Sequence, residues 1–279
     1  MSFSDDYLSQ LQSFAAHSAL PRIRALHLPP DQSHEDNRGE FCALELEDGS
    51  IGLSYVLLGD TLEQLRNGAD HLGLAGADAL SVARRYAESA GIAKTVGFAA
   101  ANALSRCLFN RAGFRPDSSA DSIGQMNPQP GEQIGMIGYF RPLLGRVMAS
   151  GAKLTVVEMK AELAGERDGY RVTLDATELA GCAKVLSTGT LLLNDTLDRM
   201  LGYCRNARWF AMLGPSVGCL PDALFSRGVT LLGGNWVNDN AAFIAALKRG
   251  ESTSPYSYKF ALTAANYPGF AVLLKRIQS

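Results

Sequence analysis

The feature that most constrains the fold is a regular alternation of strand and helix patterns in the C-terminal half of the chain. From residue 134 to residue 262, short apolar segments alternate with helical segments of about ten residues. The segment KLTVVEMK (153–160) is rich in β-branched residues, which is typical of a strand buried on both faces of a parallel sheet. Parallel neighbours need crossover connections, and the helical segments can supply them. The pattern therefore predicts an α/β fold with a Rossmann-like, mainly parallel sheet.

This half is predicted to contain six strands and five helices. The strands are expected at 134–140, 153–160, 183–189, 208–214 and 229–234, with a possible edge strand at 256–262. The helices are expected at 141–151, 176–182, 194–206, 221–228 and 238–249, and several of them end at glycine, a common helix terminator.

The preceding residues follow a different order of elements. A helix over 2–19 is predicted from the helical spacing of its apolar residues. Two strand segments, 41–46 and 51–58, then flank Asp48-Gly49, which is a strong signal for a hairpin turn. Helices are expected over 78–90 and 93–111. Strand, strand, helix, helix is the order of a small α+β unit.

The domain organisation follows from these patterns. We predict a small α+β domain over 1–114, a linker over 115–133 and a Rossmann-like domain over 134–279. The linker is predicted from its prolines, serines and glycines and from its lack of apolar periodicity.

Composition excludes several classes of protein. The 26 basic and 28 acidic residues give a net charge of -2, which argues against nucleic-acid binding and against an anionic membrane surface. The chain has no apolar run long enough for a transmembrane helix and no pattern of a secretion signal. Its five cysteines are scattered, which favours reduced, buried thiols and a cytoplasmic protein. A homodimer is only the commonest default for a soluble oligomer.

The candidate binding site follows from the predicted sheet. In open parallel sheets, ligands bind outside the carboxyl ends of the strands, where the strand order reverses. The residues just after each strand are therefore the candidates, with one residue of the N-terminal half approaching from across the crevice. They are Gly138, Tyr139, Phe140, Glu158, Thr188, Gly189, Thr190, Asn194, Pro215, Ser216 and Asn102.

Several of these residues have a purely structural alternative. Gly138 could serve only a tight turn, and Glu158 could simply be solvated. Thr188 and Thr190 could cap the following turn, and Asn194 could cap a helix. Pro215 could merely end its strand. Against this, a helix start with free amides and hydroxyls suits an anion.

Established catalytic and cofactor motifs are incomplete or absent. The dinucleotide pattern GxGxxG is broken, because Gly135 and Gly138 are followed by Arg141 at the third glycine position. The chain contains no P-loop and no HExxH motif. His27 and His34 bracket an acidic segment containing Asp31, Glu35 and Asp36, which could form a metal site or simply an exposed polar loop. Trp209 and Trp236 are expected in the core or in a pocket wall.

Two sequence segments resemble the putative heavy-metal chelation family. They are Thr188-Gly189-Thr190-Leu191 with Asn194 and Thr196-Leu197-Asp198, and Leu213-Gly214-Pro215-Ser216. An Asn-Ala-Leu segment beginning at Asn102 also matches that family. The resemblance implies an enolase-N-terminal-like domain followed by a Rossmann-like domain. The chain departs from the family pattern at Leu191, where a threonine is usual, and at Asp195, where a small residue is usual.

The resemblance implies a function in heavy-metal or metal-chelate handling. The expected ligand is a transition-metal ion or a metal chelate of unknown identity, held in the crevice between the two domains. The alternative is an enzyme that uses a nucleoside-bearing cofactor such as S-adenosylmethionine, with Glu158 holding the ribose. Whether any reaction is catalysed stays open at this point.

Overall fold

The structure is a computed structural model that describes residues 2–30, 40–119 and 122–278. The strands are β1 (Ile23–His27), β2 (Phe41–Leu46), β3 (Ile51–Tyr55), β4 (Gln133–Ile137), β5 (Lys153–Val157), β6 (Gly165–Arg167), β7 (Tyr170–Thr173), β8 (Lys184–Thr188), β9 (Trp209–Leu213), β10 (Leu231–Val237) and β11 (Ser257–Leu262). The helices are α1 (Phe3–His17), α2 (Thr61–Gly68), α3 (Ala79–Glu88), α4 (Gly91–Arg111), α5 (Ser122–Met126), α6 (Arg141–Ala149), α7 (Leu197–Tyr203), α8 (Asp222–Phe225), α9 (Asn240–Arg249) and α10 (Phe270–Gln278).

The larger sheet has eight strands in the order β11-β10-β9-β8-β4-β5-β7-β6. The six inner strands are parallel to their inner neighbours, and the edge strands β6 and β11 are antiparallel. Numbered along the chain, the inner strands have the order 3-2-1-4-5-6, as in doubly wound dinucleotide-binding sheets. The order reverses between β4 and β8. The predicted α/β class with a mainly parallel sheet is confirmed, and so is the edge position of β11.

The N-terminal half forms a three-stranded antiparallel sheet with α4 packed against it. The predicted hairpin is confirmed, because β2 and β3 pair on either side of the Asp48-Gly49 turn. Helix α4 is buried along most of its length, since it lies between this small sheet and the larger one. One continuous apolar cluster includes Leu104 of α4 and Val185 and Met212 of the large sheet.

Some elements differ from the sequence-based predictions. The segment predicted as a helix at 176–182 is a 3₁₀ helix over Ala176–Gly181. The strands β6 and β7 were not predicted, although Asp168-Gly169 between them is itself a hairpin signal. The predicted linker contains α5, whose Ile123 and Met126 side chains are buried in the core. The proposed domain boundaries stay a prediction.

The five cysteines are free and buried, as the sequence predicts. Burial raises the pKa of Cys42 and of Cys219 to about 12, so neither thiol is readily available as a thiolate ligand. Across the described residues, no helix combines the length and the apolar character needed to cross a membrane.

Candidate functional site

The reversal of strand order places Gly138, just after β4, against Thr188 at the end of β8. The φ angle of Gly138 is +91°, a conformation that residues with a side chain rarely adopt. Its amide donates to the carbonyl of Val157 at 2.9 Å. A Cβ atom at Gly138 would lie 3.2 Å from Cβ of Thr188, so the two strand ends approach closely. Both the turn and the close approach require glycine here.

Thr188 and Thr190 form a hydroxyl pair next to this turn. Thr188 caps the 3₁₀ helix Gly189–Leu192 by accepting from the amide of Thr190 at 3.2 Å, and the two hydroxyl oxygens are 2.8 Å apart. Both side chains are half-buried. Thr188 therefore has the capping role that the sequence offers as its structural alternative. When the Thr188 hydroxyl donates to Thr190, each of the two oxygens keeps one free lone pair, because a hydroxyl oxygen has two.

Asn194 does not open a helix. Its Oδ1 accepts from the hydroxyl of Thr196 at 2.5 Å and from the Thr196 amide at 3.3 Å, which closes a turn before α7 begins at Leu197. The prediction of a helix from residue 194 is wrong, because this side chain stabilises a turn in place of a helical start. Asp195 has a φ of 57° and pairs with Lys94 at 2.5 Å, so the extra negative charge at this position is compensated.

Glu158 follows β5, next to the reversal point. Its Oε1 accepts from the amide of Met159 at 2.7 Å and more weakly from the amide of Lys160 at 3.4 Å. The side chain is half-buried. The carboxylate is thus held at the sheet edge by its own loop, while its second oxygen stays without a hydrogen bond to the described residues.

Glu40 and Tyr55 bring further oxygen atoms towards Glu158, and sequence reasoning missed both. Glu40 precedes β2 and its carbonyl accepts from the amide of Val56, so the hairpin sets it beside the end of β3. Burial, together with the negative charges of Glu40 and Glu158, raises the pKa of Tyr55 to about 12. Burial also raises the pKa of Glu40. We call Glu40, Tyr55 and Glu158 the acidic cluster.

Asn102 and Ser216 meet at the other end of the carboxyl edge. The Asn102 amide donates to the carbonyl of Leu53 at 2.9 Å and to that of Ser216 at 2.8 Å, and its Oδ1 accepts from the Tyr7 hydroxyl at 3.1 Å. Asn102 is 2% exposed and Ser216 is 3% exposed. We call these contacts the buried seam, because they join α4, β3 and the loop after β9.

The remaining candidates border these two groups. A Cβ atom at Gly189 would lie 2.5 Å from the Val217 side chain, so Gly189 lets the loops after β8 and β9 touch. Pro215 lines a cavity of about 30 Å³ beside Asn102. The hydroxyls of Tyr139 and Tyr170 form a hydrogen bond of 2.7 Å, so the Tyr139 side chain points towards β7. Phe140 lies near Gly138.

The described residues do not supply a complete set of protein ligands for a metal ion. Within residues 2–30, 40–119 and 122–278, no three His, Cys, Asp or Glu side chains are grouped as a metal site. His27 is buried and its Nε2 lies 2.9 Å from Glu45, so that nitrogen is already engaged. His34, Asp31, Glu35 and Asp36 lie outside the described residues. A bare metal ion held by these side chains alone does not fit.

Two solved structures of similar fold are proteins of unknown function. A protein of unknown function from Desulfitobacterium hafniense has a TM-score of 0.67 and 18% identity, and the match covers 94% of this chain and 98% of that one. A protein of unknown function from Pyrococcus horikoshii has a TM-score of 0.68 and 20% identity, covering 94% of this chain and all of that one. Both are described as DUF364 proteins. At these identities the likeness concerns the fold alone.

A curated relative and an enolase-type structure add less. An uncharacterized protein from Methanocaldococcus jannaschii is 28% identical over 165 residues, which is 58% of this chain and 61% of that protein. The chain therefore spans about three fifths of that relative. A muconate cycloisomerase from Azorhizobium caulinodans has a TM-score of only 0.36, so the enolase-like character of the N-terminal half stays a prediction.

Two family models match the sequence itself. Residues 39–105 match DUF4213 and residues 121–266, more than half of the chain, match DUF364. Both models carry the description "putative heavy-metal chelation". The chain belongs to this heavy-metal chelation family.

Proposed function

We propose that the chain binds a metal chelate, a metal ion already held by a small organic molecule, beside the acidic cluster at the carboxyl edge of the large sheet. The observation that carries the proposal is the convergence of Glu40, Tyr55 and Glu158 from two different sheets. The family description supports a metal-related role. The site belongs to the crevice between the N-terminal hairpin and the reversal of strand order.

The donor chemistry favours a chelate over a bare ion. Carboxylate and phenol oxygens suit hard cations, whereas heavy transition metals favour nitrogen and sulfur ligands. The buried cysteines and the engaged nitrogen of His27 do not offer such ligands. A chelator brings most of the coordination with it. The protein then needs only to complement the charge and shape of the complex.

The acidic cluster has the electrostatic character that this role requires. Negative charges that raise the pKa of Tyr55 would also stabilise a positively charged group placed beside them. A bound cation would be attracted by the negative charges of Glu40 and Glu158, and part of the binding free energy would come from that attraction. The cluster therefore favours a complex with a cationic face.

The other candidate residues have supporting roles in this proposal. The hydroxyls of Thr188 and Thr190 and the backbone at Gly138 would orient the organic part of the ligand, with Phe140 next to it. Gly189, Asn194, Ser216 and Asn102 would keep the loops in place around it. Tyr139 and Pro215 would border the site on either side.

A nucleoside-bearing cofactor is the second candidate, and one observation favours it. Glu158 ends the second strand of a 3-2-1-4-5-6 sheet, where dinucleotide-binding proteins carry the acid that binds ribose. The neighbouring side chains Met159 and Leu174 are 80% and 53% exposed, and could cover a base. A cofactor of this kind would make the chain an enzyme.

Native mass spectrometry with elemental analysis of gently purified protein distinguishes the two candidates. A stoichiometric metal together with added organic mass supports the chelate. A retained nucleoside without metal overturns it in favour of the second candidate. Protein that carries neither should be titrated with the ethylenediamine complexes of nickel and zinc, which are cationic, and failure to bind either complex above nonspecific levels would also overturn the chelate. Cytoplasmic location, homodimer formation and lack of nucleic-acid binding stay predictions.

A further inference from the structure

Arg106 is a partly buried cation without a counter-charge. It lies one turn after Asn102 on α4, and its guanidinium carbon is 3.6 Å from the centroid of the Trp236 ring. Its Nη2 donates to the carbonyl of Val237 at 2.8 Å and its Nε donates to Oδ1 of Asn110 at 3.0 Å. In the part of the chain that the structure describes, no carboxylate forms an ion pair with it.

The surroundings of Arg106 leave its charge poorly compensated. Burial lowers the pKa of Arg106 to about 10, with smaller and partly opposing effects from Tyr258, Arg115 and Asp48. A partly desolvated cation costs free energy unless an anion or hydrogen-bond acceptors surround it. Nη1 forms no hydrogen bond with the described residues, so guanidinium donors remain free. Arg106 thus has both the charge and the donors to bind an anion.

A small cavity lies beside this guanidinium. Its volume is about 30 Å³. An ordered water needs roughly 10–15 Å³ on the same measure, so the cavity has room for two water-sized groups. Residues from α4, β3, β10 and the loop after β9 line it, namely Gly52, Asn102, Arg106, Pro215, Asn235 and Trp236.

We propose that this pocket between Arg106 and Trp236 is a binding site for the carboxylate of a small organic acid. The two oxygens of a carboxylate match the two positions that the cavity offers, whereas the four oxygens of phosphate exceed it. A planar carboxylate also matches the planar guanidinium, which binds it through two parallel hydrogen bonds. The site lies near the ends of β9 and β10, away from the strand ends that carry Glu158. Its occupation needs no metal, so it is tested separately from chelate binding.

The first test uses Trp236 as the reporter. In a Trp209→Phe background, Trp236 is the only tryptophan, and its emission should respond to a carboxylate bound against Arg106. Metal-free protein is titrated with formate and acetate, with chloride and phosphate compared at equal ionic strength. We expect saturable changes in emission with formate and acetate. The affinities obtained from them should be at least tenfold higher than those for chloride and phosphate. No saturable change, or equal responses to chloride or phosphate, would overturn the proposal.

Two variants identify the pocket as the origin of the response. Arg106→Lys keeps the charge but loses the planar pair of donors, and should weaken formate binding at least tenfold. Arg115→Gln removes a neighbouring exposed cation and should leave the formate affinity within twofold. Unchanged formate affinity in a folded Arg106→Lys protein would contradict the assignment.

Discussion

The two ends of the carboxyl edge differ in how their polar groups are engaged. In the buried seam, the side-chain amide of Asn102 already has three partners within the protein. In the acidic cluster, Glu40, Tyr55 and Glu158 are half-buried, and the two carboxylates add to the effect of burial in raising the pKa of Tyr55. Ser216 at one end and Glu158 at the other were both predicted as site residues for the same reason, because each follows a strand. Polar atoms that already have partners, as in the buried seam, hold the two halves of the molecule together. Charged groups that lack a partner, as in the acidic cluster, are available to bind a ligand.

The largest effect should come from breaking the buried seam. Asn102→Leu removes the hydrogen-bond partner of three buried groups, namely the carbonyls of Leu53 and Ser216 and the hydroxyl of Tyr7. Each lost hydrogen bond of a buried group costs about 1–3 kcal/mol. We therefore expect the free energy of unfolding to fall by about 2–4 kcal/mol, measured by urea denaturation. Asn206→Leu, which removes one exposed hydrogen bond to Ala180, serves as the control and should change it by less than about 0.5 kcal/mol. If Asn102→Leu lowered the free energy of unfolding by less than about 1 kcal/mol, the buried seam would not stabilise the protein as we propose.

The next effect concerns the turn at the reversal of strand order. Gly138→Ala must keep a φ near +91° and bring its Cβ to 3.2 Å from Thr188, so we expect a loss of about 1–3 kcal/mol. Gly145→Ala is the matched control, because Gly145 lies exposed in α6 with open space around it. Alanine should stabilise that position by up to about 1 kcal/mol. Equal effects of the two substitutions on the unfolding free energy would show that the turn carries no strain.

A smaller effect tests the electrostatic contact within the acidic cluster. Glu158→Gln removes a negative charge near Tyr55. Because burial is the largest cause of the raised pKa of Tyr55 and Glu158 is the smallest, this pKa should fall only slightly below about 12. Absorbance at about 295 nm follows the phenolate, and the Tyr55→Phe protein identifies which part of the titration belongs to this residue. Glu162→Gln, an exposed carboxylate in the same loop, is the control. A Tyr55 titration that is the same in both glutamine variants would refute the contact.

The smallest effect is a change in the pH dependence of stability. The folded-state pKa of Tyr55 is about 12 and its ordinary value is 10, so the unfolded chain loses this proton first as the pH rises. The contribution of Tyr55 is therefore fully present below about pH 10 and is lost as the pH rises towards about 12. Tyr55→Phe should lose less stability than the natural chain over that interval. Parallel curves of unfolding free energy against pH would contradict the burial of Tyr55 beside two carboxylates.

The sequence predicts the large sheet well because its signals are local. β-Branched runs and terminal glycines identify β5 and β8 without reference to distant residues. The strand β6, GER, was missed because it is short and fully exposed, so it has no apolar alternation. The helix start at Asn194 was misplaced because capping and turn-forming asparagines share the same local pattern.

The candidate site was only partly predictable. Glu158 follows a strand and can be found by topology alone. Its electrostatic effect on Tyr55 joins residues about one hundred positions apart in the chain, and no local pattern indicates it. Arg106 likewise has an ordinary place on a helix, and only the packing of α4 against β10 brings it over Trp236. The metal site considered around His34 falls outside the described residues.

Equilibrium binding of the nickel–ethylenediamine complex, a cationic chelate, to the natural chain, Glu158→Gln and Glu162→Gln tests the central claim most directly, with isothermal titration calorimetry as the measurement. We expect stoichiometric binding to the natural chain and to Glu162→Gln, and at least tenfold weaker binding to Glu158→Gln with its unfolding free energy preserved. Equal affinities of the two variants for this complex would contradict the acidic cluster as the ligand site.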